Sequence, residues 1–128
     1  MRIEVSATPP RECSPNWRGH WRLRYLASKS YQEEVYCTAK YGLSWAGYLV
    51  HARLPIVKGR IHLTVVYGQN RTRDRDNIIA MFKPGLDALV LAGILQADDS
   101  DHLEYGDVTV EVDKARAPLT IITIEEAL

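Results

Sequence analysis

Strand-like stretches alternate with helix-like stretches along this chain, and their order limits the folds that are open to it. Four short runs either alternate between apolar and polar residues or are rich in β-branched residues, as is typical of strands. These predicted strands are residues 2–7, 60–67, 102–113 and 118–125.

Two longer runs have the periodicity of helices. Within residues 28–50, apolar side chains recur every fourth position, and they are Tyr31, Val35, Ala39 and Leu43. The apolar-rich residues 78–91 predict a second helix, which Gly93 would end as a C-cap. Pro84 lies inside this run and predicts either a kinked helix or a helix that begins near Pro84. Residues 9–27, with three prolines, are predicted to be a long loop.

The element order β-α-β-α-β-β predicts an α+β fold, a two-layer domain with a mixed or antiparallel sheet and two helices. The length of 128 residues fits one domain over residues 1–128. No apolar run is long enough to span a membrane, and the first residues lack the apolar segment of a signal peptide. Cys13 and Cys37 have no metal-ligand spacing and are interpreted as free thiols. We therefore expect a cytoplasmic protein with no membrane partner.

Charge is distributed unevenly along the chain although the formal net charge is zero. Residues 1–75 contain 13 Lys and Arg against 5 Asp and Glu, whereas residues 76–128 contain 3 against 11. An excess of +8 in the first half indicates nucleic-acid contact by that half. The alternative is that the halves pair their charges in the fold. Five basic residues with only Glu12 opposing them favour nucleic acid, and they are Arg11, Arg18, Arg22, Arg24 and Lys29.

The most chemically specific segment is R-T-R-D-R-D-N, at residues 71–77. In an extended chain, Asp74 and Asp76 would point to one face and could share a divalent ion. The interleaved Arg71, Arg73 and Arg75 could contact phosphates or screen the carboxylates. The alternative is a solvated turn in which Asp76 or Asn77 caps the next helix.

A lysine and a second acidic segment follow the pair Asp74 and Asp76 along the chain. Lys83 lies seven residues after Asp76, which is two helical turns along nearly the same face. Asp87 lies one turn further along that face. After Gly93, a short loop leads to Asp98 and Asp99, which could return toward the first acidic pair. A lysine near such a cluster could polarise a phosphate.

Aromatic and basic residues alternate in P-N-W-R-G-H-W-R-L-R, at residues 15–24. Trp17 and Trp21 could stack on unpaired bases while the neighbouring arginines hold phosphates. Alternatively, both tryptophans pack beneath the loop as a small satellite core. His20 could contact a phosphate or be an ordinary surface residue.

These motifs together resemble the RusA family of Holliday junction resolvases, which are small phage-borne endonucleases. The resemblance is carried by D-x-D-N, a lysine, D-A-L, A-G and D-D-S in that order, over roughly residues 60–125. It extends to the N-terminus through Pro9-Pro10, Ser14-Pro15-Asn16 and His20. The chain departs from the family in its longer gap before Lys83 and in Pro84 after it.

The resemblance implies a single RusA-like endonuclease domain with a Mg²⁺ cofactor, for which Mn²⁺ could substitute. It implies that Asp74, Asp76 and Asp99 bind the metal and that Lys83 assists cleavage, whereas Asp87 has a structural or secondary role. It further implies a homodimer acting on four-way DNA junctions in a bacterial host, with a phage or prophage origin. Two alternatives stay open: a phage accessory protein that binds branched DNA without cutting it, and a nuclease for flaps or other DNA structures.

Overall fold

A four-stranded mixed sheet and three α-helices make up the described part of the protein, which in this computed structural model is residues 1–46, 54–70 and 73–127. The strands are β1 (Arg2–Val5), β2 (Gly59–Tyr67), β3 (Leu103–Val112) and β4 (Leu119–Glu126). Their order in the sheet is β1-β4-β2-β3. Strand β4 is antiparallel to both of its neighbours, whereas β2 and β3 are parallel. The α+β prediction is therefore confirmed, with a mixed sheet.

The helices are α1 (Trp21–Ala46), α2 (Arg75–Met81) and α3 (Lys83–Leu91), and a short 3-10 turn at Arg11–Cys13 precedes them. Helices α2 and α3 lie between the parallel strands β2 and β3, as a crossover connection of parallel strands requires. No helix among the described residues is both long and apolar enough to cross a membrane.

Helix α1 begins earlier than its sequence pattern predicts. The segment predicted to be a loop as far as residue 27 is already helical from Trp21. His20 supplies the start, because its Nδ1 accepts a hydrogen bond from the Arg22 amide at 3.1 Å and its carbonyl accepts one from the Leu23 amide. His20 therefore satisfies backbone donors that a helix start leaves unpaired. The predicted residues 47–50 of this helix lie outside the described residues.

The core forms where one stripe of α1 meets α3 and the sheet. Tyr31, Val35 and Ala39 are buried at the predicted spacing of four residues, whereas the side chain of Leu43 lies outside the described residues. The Tyr31 hydroxyl lies 2.9 Å from Oγ1 of Thr120, which in turn donates to the backbone carbonyl of Ala7. This buried chain of hydrogen bonds fastens α1 to the sheet.

Pro84 is accommodated by dividing the second predicted helix in two. Phe82 separates α2 from α3, and Pro84 occupies the first turn of α3, where a missing amide hydrogen costs little. The alternative of a helix beginning near Pro84 is therefore closest to the structure, and residues 75–81 before it form a separate helix. Gly93 has a φ of +79° immediately after α3, so its prediction as the C-cap glycine is confirmed.

Candidate functional site

The first acidic pair lies at the start of α2. Asp74 is extended, with φ −85° and ψ 134°, and its Oδ1 accepts a hydrogen bond from the backbone amide of Asp76 at 3.2 Å. The helix cap is therefore Asp74 rather than Asp76 or Asn77. Because Asp76 is helical, the extended geometry that was expected to align the two side chains holds for Asp74 alone. Both residues are exposed, so both can offer carboxylate oxygens to a ligand.

Lys83 lies at the start of α3 and binds two carboxylates. Its Nζ donates to Oδ1 of Asp87 at 2.8 Å and to Oδ2 of Asp98. These partners raise the pKa of Lys83, and Asp87 has the larger effect. In return, the hydrogen bond from Lys83 lowers the pKa of Asp98. The structure thus brings Lys83 to the second acidic turn, and the lysine keeps 57% of its side chain exposed.

Asp99, the predicted metal ligand of that turn, is paired with a histidine. Its Oδ1 accepts from Nδ1 of His102 at 2.6 Å and from the amide of Asp101 at 3.0 Å. The bond from His102 is the main cause that lowers the pKa of Asp99. The Asp99 side chain is 55% exposed, so it stays accessible while its orientation is set by His102.

The start of β3 connects α2 to the second acidic turn. The carbonyl of Gly106 accepts from Nη2 of Arg75 at 3.1 Å. Burial raises the pKa of the neighbouring Tyr105 to about 12, and the charges of Lys83 and Asp98 have smaller, opposing effects on it. Arg75 from α2 therefore contacts Gly106, and Lys83 from α3 influences the adjacent Tyr105.

The candidate metal ligands are carboxylates, the donor type that a hard divalent cation prefers. Among the described residues, no group of three or more His, Cys, Asp or Glu side chains is arranged to hold a metal ion. Mg²⁺ commonly uses one or two carboxylates and completes its shell with water and substrate phosphate. Asp74 and Asp76 are both exposed. Metal binding by either of them or by Asp99 stays a prediction.

The N-terminal loop is fastened beside α2. The Ser14 hydroxyl, which is buried, donates to Oδ1 of Asn77 at 2.7 Å. The Arg24 guanidinium donates to the backbone carbonyls of Glu12 at 2.8 Å and Ser14 at 3.0 Å. These contacts position the loop against the helix that Asp74 caps.

A cleft of about 850 Å³ opens between this loop and the start of α2, where Asp74 lines it. Tyr67 and Arg73 line it together, with the Arg73 guanidinium carbon 3.5 Å from the centroid of the Tyr67 ring. Arg73 also donates to the Gln69 carbonyl at 3.1 Å. Trp17 and Asp74 line the same cleft, so an aromatic surface and a candidate metal ligand share one space.

Apart from Trp17, the predicted DNA-contacting residues fall into three groups. Arg11, Arg18, Arg22 and Lys29 are exposed, and Trp21 is exposed over 70% of its surface. Arg24, Arg73 and Arg75 also bind backbone carbonyls, so they help to hold the fold as well. Arg71 lies outside the described residues.

The two tryptophans differ in their surroundings. Trp21 stands on the first turn of α1 and is largely open to solvent, as the stacking alternative expects. Trp17 is half-buried, and its ring occupies the space that a side chain on Gly19 would take. Trp17 therefore packs on the loop while it also lines the cleft.

The sequence pattern missed two partners of the candidate site. His102 binds Asp99 although it is not among the predicted site residues, and its position three residues after Asp99 is the signal that could have found it. The contact of Ser14 with Asn77 joins residues 63 positions apart, and no local pattern indicates it.

In comparisons with known proteins, no family model matches the chain and no curated protein matches it.

Proposed function

We propose that this protein is a metal-dependent endonuclease of the RusA type that hydrolyses phosphodiester bonds in branched DNA. The observation that carries the proposal is the arrangement around α2 and α3. Two exposed carboxylates, Asp74 and Asp76, stand at the start of α2, and Lys83 at the start of α3 binds the second acidic turn. Acidic oxygens beside a cation are the side chains that phosphoryl chemistry needs.

Asp74 and Asp76, with Asp99, would hold a divalent cation such as Mg²⁺ or Mn²⁺. When bound, the ion would supply an activated water and neutralise charge on the phosphate. Lys83 would donate a hydrogen bond to the scissile phosphate or to the leaving oxygen, exchanging a carboxylate partner for it. His102 would hold Asp99 in orientation. Arg75, fixed on the Gly106 carbonyl, would keep positive charge beside the acidic pair.

DNA would lie along the basic first half of the chain. The first turns of α1 present Arg22, Lys29 and Trp21 to solvent, and Lys29 lies 5.9 Å from the centroid of the Tyr25 ring. Such surfaces combine phosphate contacts with base stacking. A homodimer would place two sites on a four-way junction for paired incisions. We place this activity in the cytoplasm of a bacterial host, with a phage or prophage origin.

A second candidate is a protein that binds branched DNA without cutting it. The finding that favours it is that the described residues do not gather three metal-binding side chains. A nuclease for flaps or other structures uses the same chemistry and differs only in the DNA shape that is accepted.

Side-by-side cleavage of end-labelled substrates tests these candidates. A four-way junction, a flap and a linear duplex of the same sequence are incubated with the protein in Mg²⁺, Mn²⁺, Ca²⁺ or excess chelator. We expect cutting of the junction in Mg²⁺ and Mn²⁺ only. Tight junction binding with no cutting in any metal would support the non-cleaving candidate, and preferential cutting of the flap would reassign the substrate.

A further inference from the structure

We propose that the cleft beside Asp74 holds an unpaired nucleobase of the DNA next to the cut phosphodiester. The inference rests on the proposed function, because it takes DNA as the ligand, and it adds which part of the DNA enters the protein. The occupant is a single nucleotide that has left its base pair, stacked on Trp17 and on the guanidinium of Arg73.

The size and lining of the cleft fit such an occupant. Its volume of about 850 Å³ lies within the roughly 300–1,000 Å³ of small-molecule sites. Pro9, Pro10 and Trp17 line it from the N-terminal loop, while Tyr67, Arg73 and Asn77 line it from the end of β2 and the start of α2. The lining therefore combines flat apolar and guanidinium surfaces with amide groups.

The Arg73–Tyr67 contact provides one stacking surface. The guanidinium carbon of Arg73 lies 3.5 Å from the centroid of the Tyr67 ring, and this contact holds the guanidinium over the ring. Unpaired bases stack on arginine planes as well as on aromatic rings. The bond from Arg73 to the Gln69 carbonyl fixes the side chain further, so little conformational freedom is lost on binding.

Trp17 provides the second surface. Its indole packs over Gly19, where any side chain would displace it. The Nε1 atom of Trp17 is buried and, in the described part of the chain, has no hydrogen-bond partner. Turning the indole toward a ligand therefore breaks no side-chain hydrogen bond of Trp17.

Amide groups in the cleft supply hydrogen bonds to a base edge. The side-chain oxygen of Asn77 is taken by Ser14, which fixes the amide and directs its remaining donors. Gln69 also lines the cleft. Asn and Gln amides pair well with base edges, adenine above all. Because Asp74 lines the same cleft, the phosphate that adjoins a bound base would lie near the candidate metal site.

Photocrosslinking locates the base directly. A four-way junction carries 5-iododeoxyuridine at one of the two nucleotides on either side of the crossover, and the complex is irradiated in Ca²⁺. Trypsin separates the relevant aromatic residues into the peptides 12–18, 19–22 and 61–71, which contain Trp17, Trp21 and Tyr67 respectively. We expect at least one labelled position to crosslink to peptide 12–18 or 61–71. Bound junctions that crosslink only to peptide 19–22, or only outside these peptides, would overturn the inference.

Binding measurements give a second test. Trp17→Ala should weaken junction binding roughly five- to 150-fold, because one base loses its stacking partner, and Gly19→Ala should weaken it by displacing the same ring. Tyr41→Ala removes an exposed aromatic side chain of α1 outside the cleft and should leave affinity unchanged. Parental affinity in both loop variants would contradict the inference. If cutting persists without crosslinks in the cleft, this inference alone fails; if no DNA is bound, the proposed function fails with it.

Discussion

The ammonium group of Lys83 binds the carboxylate of Asp98, and this contact joins the start of α3 to the second acidic turn. The two residues lie 15 positions apart in the sequence. Lys83 also donates a hydrogen bond to Asp87, which lies one turn further along α3. Because Lys83 is paired yet more than half exposed, it can exchange a carboxylate partner for an incoming phosphate.

Replacing Lys83 should slow the chemical step more than it weakens binding. For Lys83→Ala, we expect the single-turnover rate on a four-way junction to fall by roughly 10²–10³, as for loss of one preorganised electrostatic contact. Lys83→Arg should recover only part of the rate because the guanidinium differs in shape. Lys114→Ala, an exposed lysine between β3 and β4, is the matched control. Near-parental rates for both Lys83 variants would remove this lysine from the site.

The two aspartates of the second acidic turn should differ in effect. Asp99→Asn should abolish cleavage while junction binding stays intact or tightens, because a candidate metal ligand and a charge that repels DNA are both removed. Asp98→Asn removes a partner of Lys83 and should cost much less. Gel-shift titrations and cleavage rates for the two variants decide this. A parental cleavage rate in Asp99→Asn would overturn the assignment of the metal to that residue.

Gly85 should be intolerant of a side chain. A Cβ there would lie 2.7 Å from Cε1 of Phe82 and 3.0 Å from Cε2 of Tyr31, and both rings are buried. Gly85→Ala should therefore lower the free energy of unfolding by about 1–3 kcal/mol through overpacking, despite the better helix propensity of alanine. Gly68→Ala, where a Cβ meets no atom within 4 Å, is the control. Chemical denaturation measures both, and equal stabilities would contradict the close packing.

The hydrogen bond between His62 and Glu125, which joins two strands of the sheet, predicts that the stability of the protein depends on pH. Nδ1 of His62 accepts from the Asp107 amide at 2.9 Å, so Nε2 carries the proton and donates to Glu125 at 3.0 Å. That bond is the main cause that lowers the pKa of Glu125. Since the folded pKa lies below the unfolded value of about 4.3, the stabilisation is present above that value and is lost as pH falls through the folded pKa.

NMR titration of side-chain carboxyl groups measures this directly. The Glu125 pKa should lie below that of a free glutamate in the parent protein and rise in His62→Ala. In thermal melting experiments, the difference in melting temperature between Glu125→Gln and the more stable parent should become smaller as the pH is lowered. Glu111→Gln changes an exposed carboxylate on β3 and serves as the control. A Glu125 pKa that is unchanged by His62→Ala would contradict the geometry.

The strands could be predicted closely because their alternation of apolar and polar residues follows which side chains are buried. Apolar and polar residues alternate, or β-branched residues predominate, in residues 60–67 and 118–125. The ends of the observed β2 and β4 differ from the ends of these predicted strands by at most one residue. The start of α1 could not be predicted in this way. Trp21, Leu23 and Tyr25 are exposed apolar residues, so this part of the helix lacks the buried stripe that helical periodicity detects.

Part of the candidate site could also be predicted from local sequence patterns. Asp74, Asp76 and Lys83 stand out by spacing, and the cap at Asp74 is a local feature that the pattern placed two or three residues late. The contact between Lys83 and Asp98 depends on how α3 and the following turn pack, which spacing along the chain does not determine. The pairing of Asp99 with His102 is local and could have been predicted from the three-residue interval.

Asp74 is proposed to serve metal-dependent cleavage of branched DNA, and a comparison of cleavage with binding tests that role. Parent protein and Asp74→Asn are mixed in excess with a labelled four-way junction, and single-turnover cleavage is followed in Mg²⁺ and in chelator. Junction binding is measured in parallel in Ca²⁺. We predict rapid cutting by the parent in Mg²⁺ alone, and none by Asp74→Asn despite undiminished binding. Robust cutting by the parent in excess chelator, or by Asp74→Asn at the parental rate, would contradict it.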